Sequence, residues 1–324
     1  MGRLDPPAEM HPWIEKFFGS VEAVRAQRII RVTNRVTHEG ALFNELRARR
    51  PMEAKGTGDA RAEIERSQND PFCHPQTGTP ADEFGRVQGE HAITASNVAK
   101  YDAYHGVLVF DRHDPTASVD EAILADYLAT ARRWAERANA SDAEARYYFL
   151  MWNSLWRAGG SIVHGHMQMT ATRGSHYPRI EALREAATRY RDAYGSDYFD
   201  DLTAVHEALG LARRVGDSVV LASLTPIKER ELVVIAPPRG DESALVAGLA
   251  RALAAHRGLG VISWNMALFL PPLTDDGQDW SALRTHARVV DRGDPGNRTS
   301  DIGAMELYAA SVVASDPFRI IDTV

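Results

Sequence analysis

The residues best suited to chemistry lie in the run Ser161-Ile162-Val163-His164-Gly165-His166-Met167-Gln168-Met169. In an extended strand successive side chains point to opposite faces, so His164, His166 and Gln168 share one face while Val163, Met167 and Met169 share the other. Neutral imidazole near pH 7 is both a nucleophile and a metal ligand, and its neighbours decide which ring nitrogen is free to react. Gly165 puts no side chain between them, which lets another element approach closely. A lone histidine is more often structural, but two histidines and an amide in register shift the balance towards nucleophilic or metal chemistry. Upstream, Asn153 and the pair Gly159-Gly160 lead in through a loop whose backbone amides can face an anion.

Asn153, Gly159, Ser161, His164, His166 and Gln168 together resemble the N-x5-G-x-S-x2-H-x-H-x-Q signature of the galactose-1-phosphate uridylyltransferase branch of the histidine-triad superfamily, which also holds the diadenosine tetraphosphate phosphorylases. The resemblance implies that His166 takes a nucleoside monophosphate from a nucleotide-sugar or dinucleotide, that Gln168 holds the phosphoryl oxygens, and that His164 supports from beside. It places Asn153, Gly159 and Ser161 at the substrate. Glutamine at 168, where the hydrolases carry a third histidine, implies transfer to a sugar phosphate or to inorganic phosphate rather than to water. A non-catalytic nucleotide-binding protein is a further reading, opposed by the intact His166 and Gln168.

Other segments extend the resemblance. Arg47-Ala48-Arg49-Arg50-Pro51 is similar to the family's R-A-K-R-P segment, which implies that Arg47 and Arg50 lie at the nucleotide. The planar guanidinium suits that task, gripping phosphate oxygens in pairs, although a solvated basic turn reads the same way from the residues alone. Asp70-Pro71-Phe72-Cys73 resembles the uridylyltransferases' C-P-x-C zinc segment with aspartate in the first cysteine's place. His113 and His164 fit the places of the third and fourth ligands. Carboxylate oxygen is an acceptable zinc ligand, so Asp70, Cys73, His113 and His164 can form a four-coordinate site; the phosphorylase relatives do without the metal, and a single cysteine is also a small buried hydrophobe.

Thr94 to Tyr101, followed by His105 to Phe110, is similar instead to the phosphorylases' N-K-[FY] and H-x-L-[LV]-V segments, which puts Asn97 and Lys100 near ribose and phosphate. The stretch Trp280 to Val290 resembles the family's second, degenerate W…H-x-H strand, with Arg288 at the second histidine. That strand serves an iron site in the uridylyltransferases together with a glutamate; Glu181 and His286 fill two of its places, Arg288 puts a cation in another, and no iron is expected. Asp301 to Leu307 resembles the G-x-E-M-L region that reaches the partner's active site in the family's homodimer, which makes Glu306 a candidate for the acceptor pocket, while a glutamate near a helix start is also an ordinary cap.

Composition bounds the alternatives. With 324 residues and 44% hydrophobic residues the chain can bury a sizeable core in two domains or two halves. A net charge of −7 argues against a broad nucleic-acid-binding face, so a small anionic ligand needs a local basic pocket. One cysteine excludes an internal disulfide framework and fits a reducing cytoplasm. No apolar run approaches transmembrane length and the start lacks a signal core, so no membrane is expected.

The elements that must position these residues follow from periodicity. Helices are predicted over 12–25, over 119–138 with Ser118 as N-cap, and over 180–194, 202–213 and 243–256. Strands are predicted over 29–36, 92–97, 104–111, 147–152, 161–170, 218–223, 231–236 and 261–270. Residues 54–90 read as one long polar loop. With the resemblance, the pattern implies an α+β histidine-triad-like fold in two related halves, 1–195 and 196–324, each a mostly antiparallel sheet flanked by helices; the first carries the H-x-H-x-Q strand.

Overall fold

A computed structural model describes residues 3–49 and 59–324. Twelve strands are present among these: β1 (Ile30–Thr33), β2 (Gly40–Phe43), β3 (Ala92–Ser96), β4 (Tyr104–Phe110), β5 (Tyr147–Asn153), β6 (His166–Thr172), β7 (Ala212–Val215), β8 (Ser218–Ala222), β9 (Glu229–Ile235), β10 (Trp264–Phe269), β11 (His286–Asp291) and β12 (Ser311–Val313). Nine of them form one antiparallel sheet in the order β3-β4-β6-β5-β10-β11-β9-β8-β7. The other three form a small sheet in which β12 joins β2 in parallel, so both ends of the chain contribute to it.

The large sheet joins the two halves at its centre through β5 and β10, and the registers on either side repeat. In the first half His166 lies opposite Val109 and Gln168 opposite Val107, which pairs with Ala95 on β3. In the second, His286 lies opposite Ile235 and Arg288 opposite Val233, which pairs with Leu221 on β8. Met151 and Ala267, opposite one another across the seam, flank Gln168 and Arg288 in their own halves. By register, then, His286 answers to His166, Arg288 to Gln168 and Arg284 to His164.

Alternation decides which face each helix covers. Met167, Met169 and Ala171 of β6 point to the face covered by helices Glu121–Ser141 and Val246–Gly258, in the core with Leu124, Trp134, Leu249 and Leu253. His166, Gln168 and Thr170 point to the other face, which helices Pro178–Tyr194 and Tyr198–Ala208 cover in part through Ile180, Tyr198 and Phe199. Glycine is required beneath Trp134: a Cβ on Gly106 would lie 2.6 Å from that ring. A Cβ on Gly165 would likewise lie 2.7 Å from Phe110.

Several predicted boundaries move. The helix expected over 12–25 is two, His11–Phe18 and Val21–Arg25, broken where Gly19 takes φ +82° and Ser20 caps the second. Asp120, not Ser118, caps the long helix, its carboxylate accepting from Ile123 N at 2.9 Å. The helix expected over 202–213 runs Tyr198–Ala208; Gly210 at φ +74° ends it, and 212–215 becomes edge strand β7. The loop at 54–90 contains helices Ala60–Arg66 and Pro75–Gly78 and a 3-10 turn at Pro71–Cys73. The strand expected to begin at 161 begins at His166, leaving His164 in the turn before it.

Candidate active site

His166 opens β6 and is 6% exposed. Its Nδ1–H donates to the backbone carbonyl of His164 at 2.8 Å, so Nε2 keeps its lone pair. Burial lowers the imidazole's pKa against the opposing pull of that carbonyl, which holds the ring neutral. Phe72 meets the ring edge-on at 5.2 Å and belongs with Ile93, Ala95, Val107 and Val109 to a small apolar cluster on the same face. The arrangement is a neutral, oriented imidazole against a dry wall, which suits a nucleophile.

Asp70, Cys73, His113 and His164 converge with their donor atoms all within 4.8 Å of one another. His164 Nε2 donates to Phe110 O and His113 Nε2 to Ile64 O, each at 2.9 Å, so both rings turn an unprotonated Nδ1 inward. Those two nitrogens lie 3.2 Å apart, and Cys73 Sγ lies 3.3 and 3.4 Å from them. Tetrahedral bonds of about 2.0 Å to nitrogen and 2.3 Å to sulfur require ligand separations of roughly 3.3–3.5 Å. Asp70 Oδ1 is taken by the amides of Phe72 and Cys73, while its Oδ2 is buried with no partner among the described residues and sits 4.0 Å from His113 Nδ1. Two facing lone pairs and an orphaned carboxylate oxygen are costly alone and are satisfied together by a cation. Among the described residues this is the one group of His, Cys, Asp and Glu side chains so arranged.

Gln168 stands two residues along the same face. Its Oε1 accepts from Tyr101 Oη at 2.6 Å and from His105 Nε2 at 2.9 Å. Asn97 approaches that His105 nitrogen at 3.2 Å, which keeps it close to Gln168, whereas Lys100 turns away to the buried carboxylate of Asp82 at 3.8 Å. Sequence reasoning assigned no role to Tyr101 or His105. Both nevertheless stand at matched positions of the phosphorylase-like segments, Tyr101 at the [FY] and His105 at the leading histidine, and His105 is also the one polar side chain of Tyr104–Phe110 in the register of Val107 and Val109.

The loop from Asn153 to Ser161 is shaped by backbone. Gly159 takes φ +93°, and a Cβ on Gly160 would lie 2.9 Å from the carbonyl oxygens of Asn153 and Leu155, so neither position accepts a larger residue without rearrangement. Asn153 Oδ1 accepts from Asn265 Nδ2 at 2.7 Å across the seam, and Ser161 is exposed. Arg157 ties the loop to the C-terminal region through Arg292 O and Asn297 O, both at 3.1 Å. Arg47 and Glu306 line one cavity of about 640 Å³ together with Arg157 and Lys228. There Glu306 accepts from Gly303 N at 2.8 Å, capping its own helix, Ala304–Tyr308. Arg50 lies outside the described residues.

The second half keeps this frame with different chemistry. His286 Nδ1 donates to Arg284 O at 2.8 Å, as His166 does to His164, and burial lowers its pKa to about 4. Arg288, where the first half has Gln168, grips Glu231 through Nε and Nη2 at 2.7 and 3.0 Å and also pairs with Glu39. Burial raises the Glu231 carboxyl and the bidentate guanidinium opposes it. Glu181 accepts from His176 N and Arg184 Nε at 3.0 and 2.9 Å.

Solved structures with this architecture carry the comparison. An ADP-glucose phosphorylase from Arabidopsis thaliana, solved with bound ADP-glucose, matches over 92% of this chain and 98% of its own with a TM-score of 0.67 at 16% identity. The chain has the fold of that protein. A uridylyltransferase shares it too, with a TM-score of 0.61 at 15% identity over 91% of this chain and 97% of its own. No family model and no curated protein sequence matches the chain. The α+β architecture of these proteins is therefore shared over nine-tenths of the chain, and no helix among the described residues is long and apolar enough to cross a membrane.

Proposed function

We propose that this protein is a nucleotidyltransferase that moves a nucleoside monophosphate from a nucleotide-sugar or dinucleotide to a sugar phosphate through an intermediate on His166. The observation that carries the reading is the 2.8 Å bond from His166 Nδ1 to the His164 carbonyl, which presents Nε2 as the free nucleophile. In the first step Nε2 bonds to the α-phosphorus as the P–O bond to the leaving phosphate breaks, the electron pair departing on that oxygen. In the second a phosphate oxygen of the acceptor bonds to the same phosphorus and the N–P bond breaks, restoring the imidazole. Gln168 donates from its amide to the phosphoryl oxygens in both steps, and the backbone amides at Gly159 and Ser161 serve the same charge. Arg47, Arg50 and Asn97 are assigned to the donor nucleotide and Glu306 to the acceptor; Lys100 joins the site only by exchanging its Asp82 partner.

Asp70, Cys73, His113 and His164 would hold a zinc ion, whose chemistry is structural: a closed four-ligand site fastens the 60–90 region to the turn before β6. That turn supplies the carbonyl that orients His166. The protein is read as a cytoplasmic homodimer, with residues 1–195 carrying the nucleophile and 196–324 the acceptor side.

The second reading, phosphorolysis with inorganic phosphate as acceptor, is favoured by the fit to the ADP-glucose phosphorylase and differs only in the second step. Initial-rate kinetics test the shared scheme. Parallel double-reciprocal lines support it, intersecting lines refute it, and the acceptor that turns over separates transfer from phosphorolysis.

A further inference from the structure

We infer that Tyr101 and His105 are positioning residues that fix which end of the Gln168 amide faces the phosphoryl group. The inference rests on the proposed function in taking the phosphoryl group to sit beside His166 and Gln168. An amide side chain has one accepting and one donating end, and a half-turn of its last torsion exchanges them. Only the donating end is useful beside a phosphate. Here both lone pairs of Oε1 are engaged, by Tyr101 Oη at 2.6 Å and His105 Nε2 at 2.9 Å. His105 is equipped for this: its Nδ1 accepts from Tyr101 N at 3.4 Å, which leaves the ring proton on Nε2, and its side chain is fully buried. Asn97 Nδ2, at 3.2 Å from the same nitrogen, is then a donor facing a donor, held in place by the acceptance of Ala99 N at its own oxygen. The two ring centroids lie 4.0 Å apart, so the pair is also in direct contact.

The second half repeats the device with other residues. Glu231 stands on β9 where His105 stands on β4, two residues before the partner of Arg288 or Gln168, and it grips Arg288 as His105 grips Gln168. In both halves, therefore, the outer strand fixes the side chain that follows the histidine by two. What differs is only whether the gripped group is an amide left with a free donor or a cation neutralised on both sides.

The test is a mutant cycle. Tyr101→Phe and His105→Ala should each slow both half-reactions about tenfold, the scale of a lost outer-shell partner, and His105→Gln, which keeps a donor, should recover most of that loss. Added to Gln168→Ala, neither change should slow the enzyme further by more than about twofold, because the group they orient is gone. Losses that multiply in the Gln168→Ala background overturn the inference, as does full activity of Tyr101→Phe, an exposed conservative change that leaves the fold alone. Calorimetric binding of uridine and adenosine monophosphates to the same set reads the cycle without turnover. Coupled losses in affinity support the positioning role even if no covalent intermediate forms, and additive losses reject it even if one does.

Discussion

The carbonyl oxygen of His164 accepts the Nδ1 proton of His166 at 2.8 Å, while Nδ1 of His164 itself lies 3.4 Å from Cys73 Sγ and 3.2 Å from Nδ1 of His113. One residue therefore joins the candidate metal cluster by its side chain and the candidate nucleophile by its backbone. Anything that loosens the cluster loosens the turn that keeps His166 in its reactive tautomer.

Metal content tests the first half of that coupling. Elemental analysis of protein purified without chelator should give about one equivalent of zinc, and Cys73→Ser should lower both the zinc and the midpoint of thermal unfolding. Full activity with less than about a tenth of an equivalent of any transition metal would reduce the four residues to packing and hydrogen-bonding groups.

Gln168→Ala should slow formation and breakdown of the intermediate together, by roughly 10²-fold, because the same phosphoryl oxygens are held in both steps. Rapid quench of each half-reaction measures the two rates separately. A loss confined to one half-reaction would place Gln168 on the leaving group or the acceptor instead.

Much of the site was legible in the sequence, and the exceptions have physical causes. Asp70, Cys73, His113 and His164 come from three separate segments, yet the chemistry of the donor set and the family spacing were enough to group them. Lys100 was placed at the substrate by its motif, but the pull came from Asp82, whose carboxylate is buried against Trp134 Nε1 at 2.7 Å; nothing local to Lys100 records that burial. Likewise Ser118 and Asp120 are equally good caps by type, and only the path of the chain over 114–120 selects the second. The register match of His286 with His166 corrects the reading of Arg288 as the second histidine: Arg284-Thr285-His286 and His286-Ala287-Arg288 each keep one histidine of an H-x-H pair, and only the strand pairing chooses between them.

Arg288→Met should destabilise the fold by roughly 3–5 kcal/mol, since it leaves the buried Glu231 and the half-buried Glu39 without their cation. Replacing both carboxylates as well, in Arg288→Met with Glu231→Gln and Glu39→Gln, should recover a large part of the loss. Denaturant unfolding reads both; a single-variant loss under about 1 kcal/mol would mean that the carboxylates are solvated.

Stability should fall as pH drops from 6.5 towards 4. Burial lowers His176 and His286 to about 4 in the fold, whereas the unfolded chain protonates them near 6.5, so acid favours the unfolded state across that window. Each contributes on the order of 3 kcal/mol to the stability lost over that window. In His286→Phe the unfolding free energy measured across this range should depend less steeply on pH; an unchanged slope would assign the acid sensitivity elsewhere.

The central claim is a covalent bond between His166 and a nucleoside monophosphate, and intact-protein mass spectrometry after incubation with single nucleotide-sugars and dinucleotides measures it directly. The account predicts a gain of one nucleotidyl group with at least one donor, its loss on adding the acceptor, and no gain in His166→Ala, whose turnover should fall by about 10⁴-fold or more. Turnover without any adduct, or an adduct that persists in His166→Ala, would contradict it.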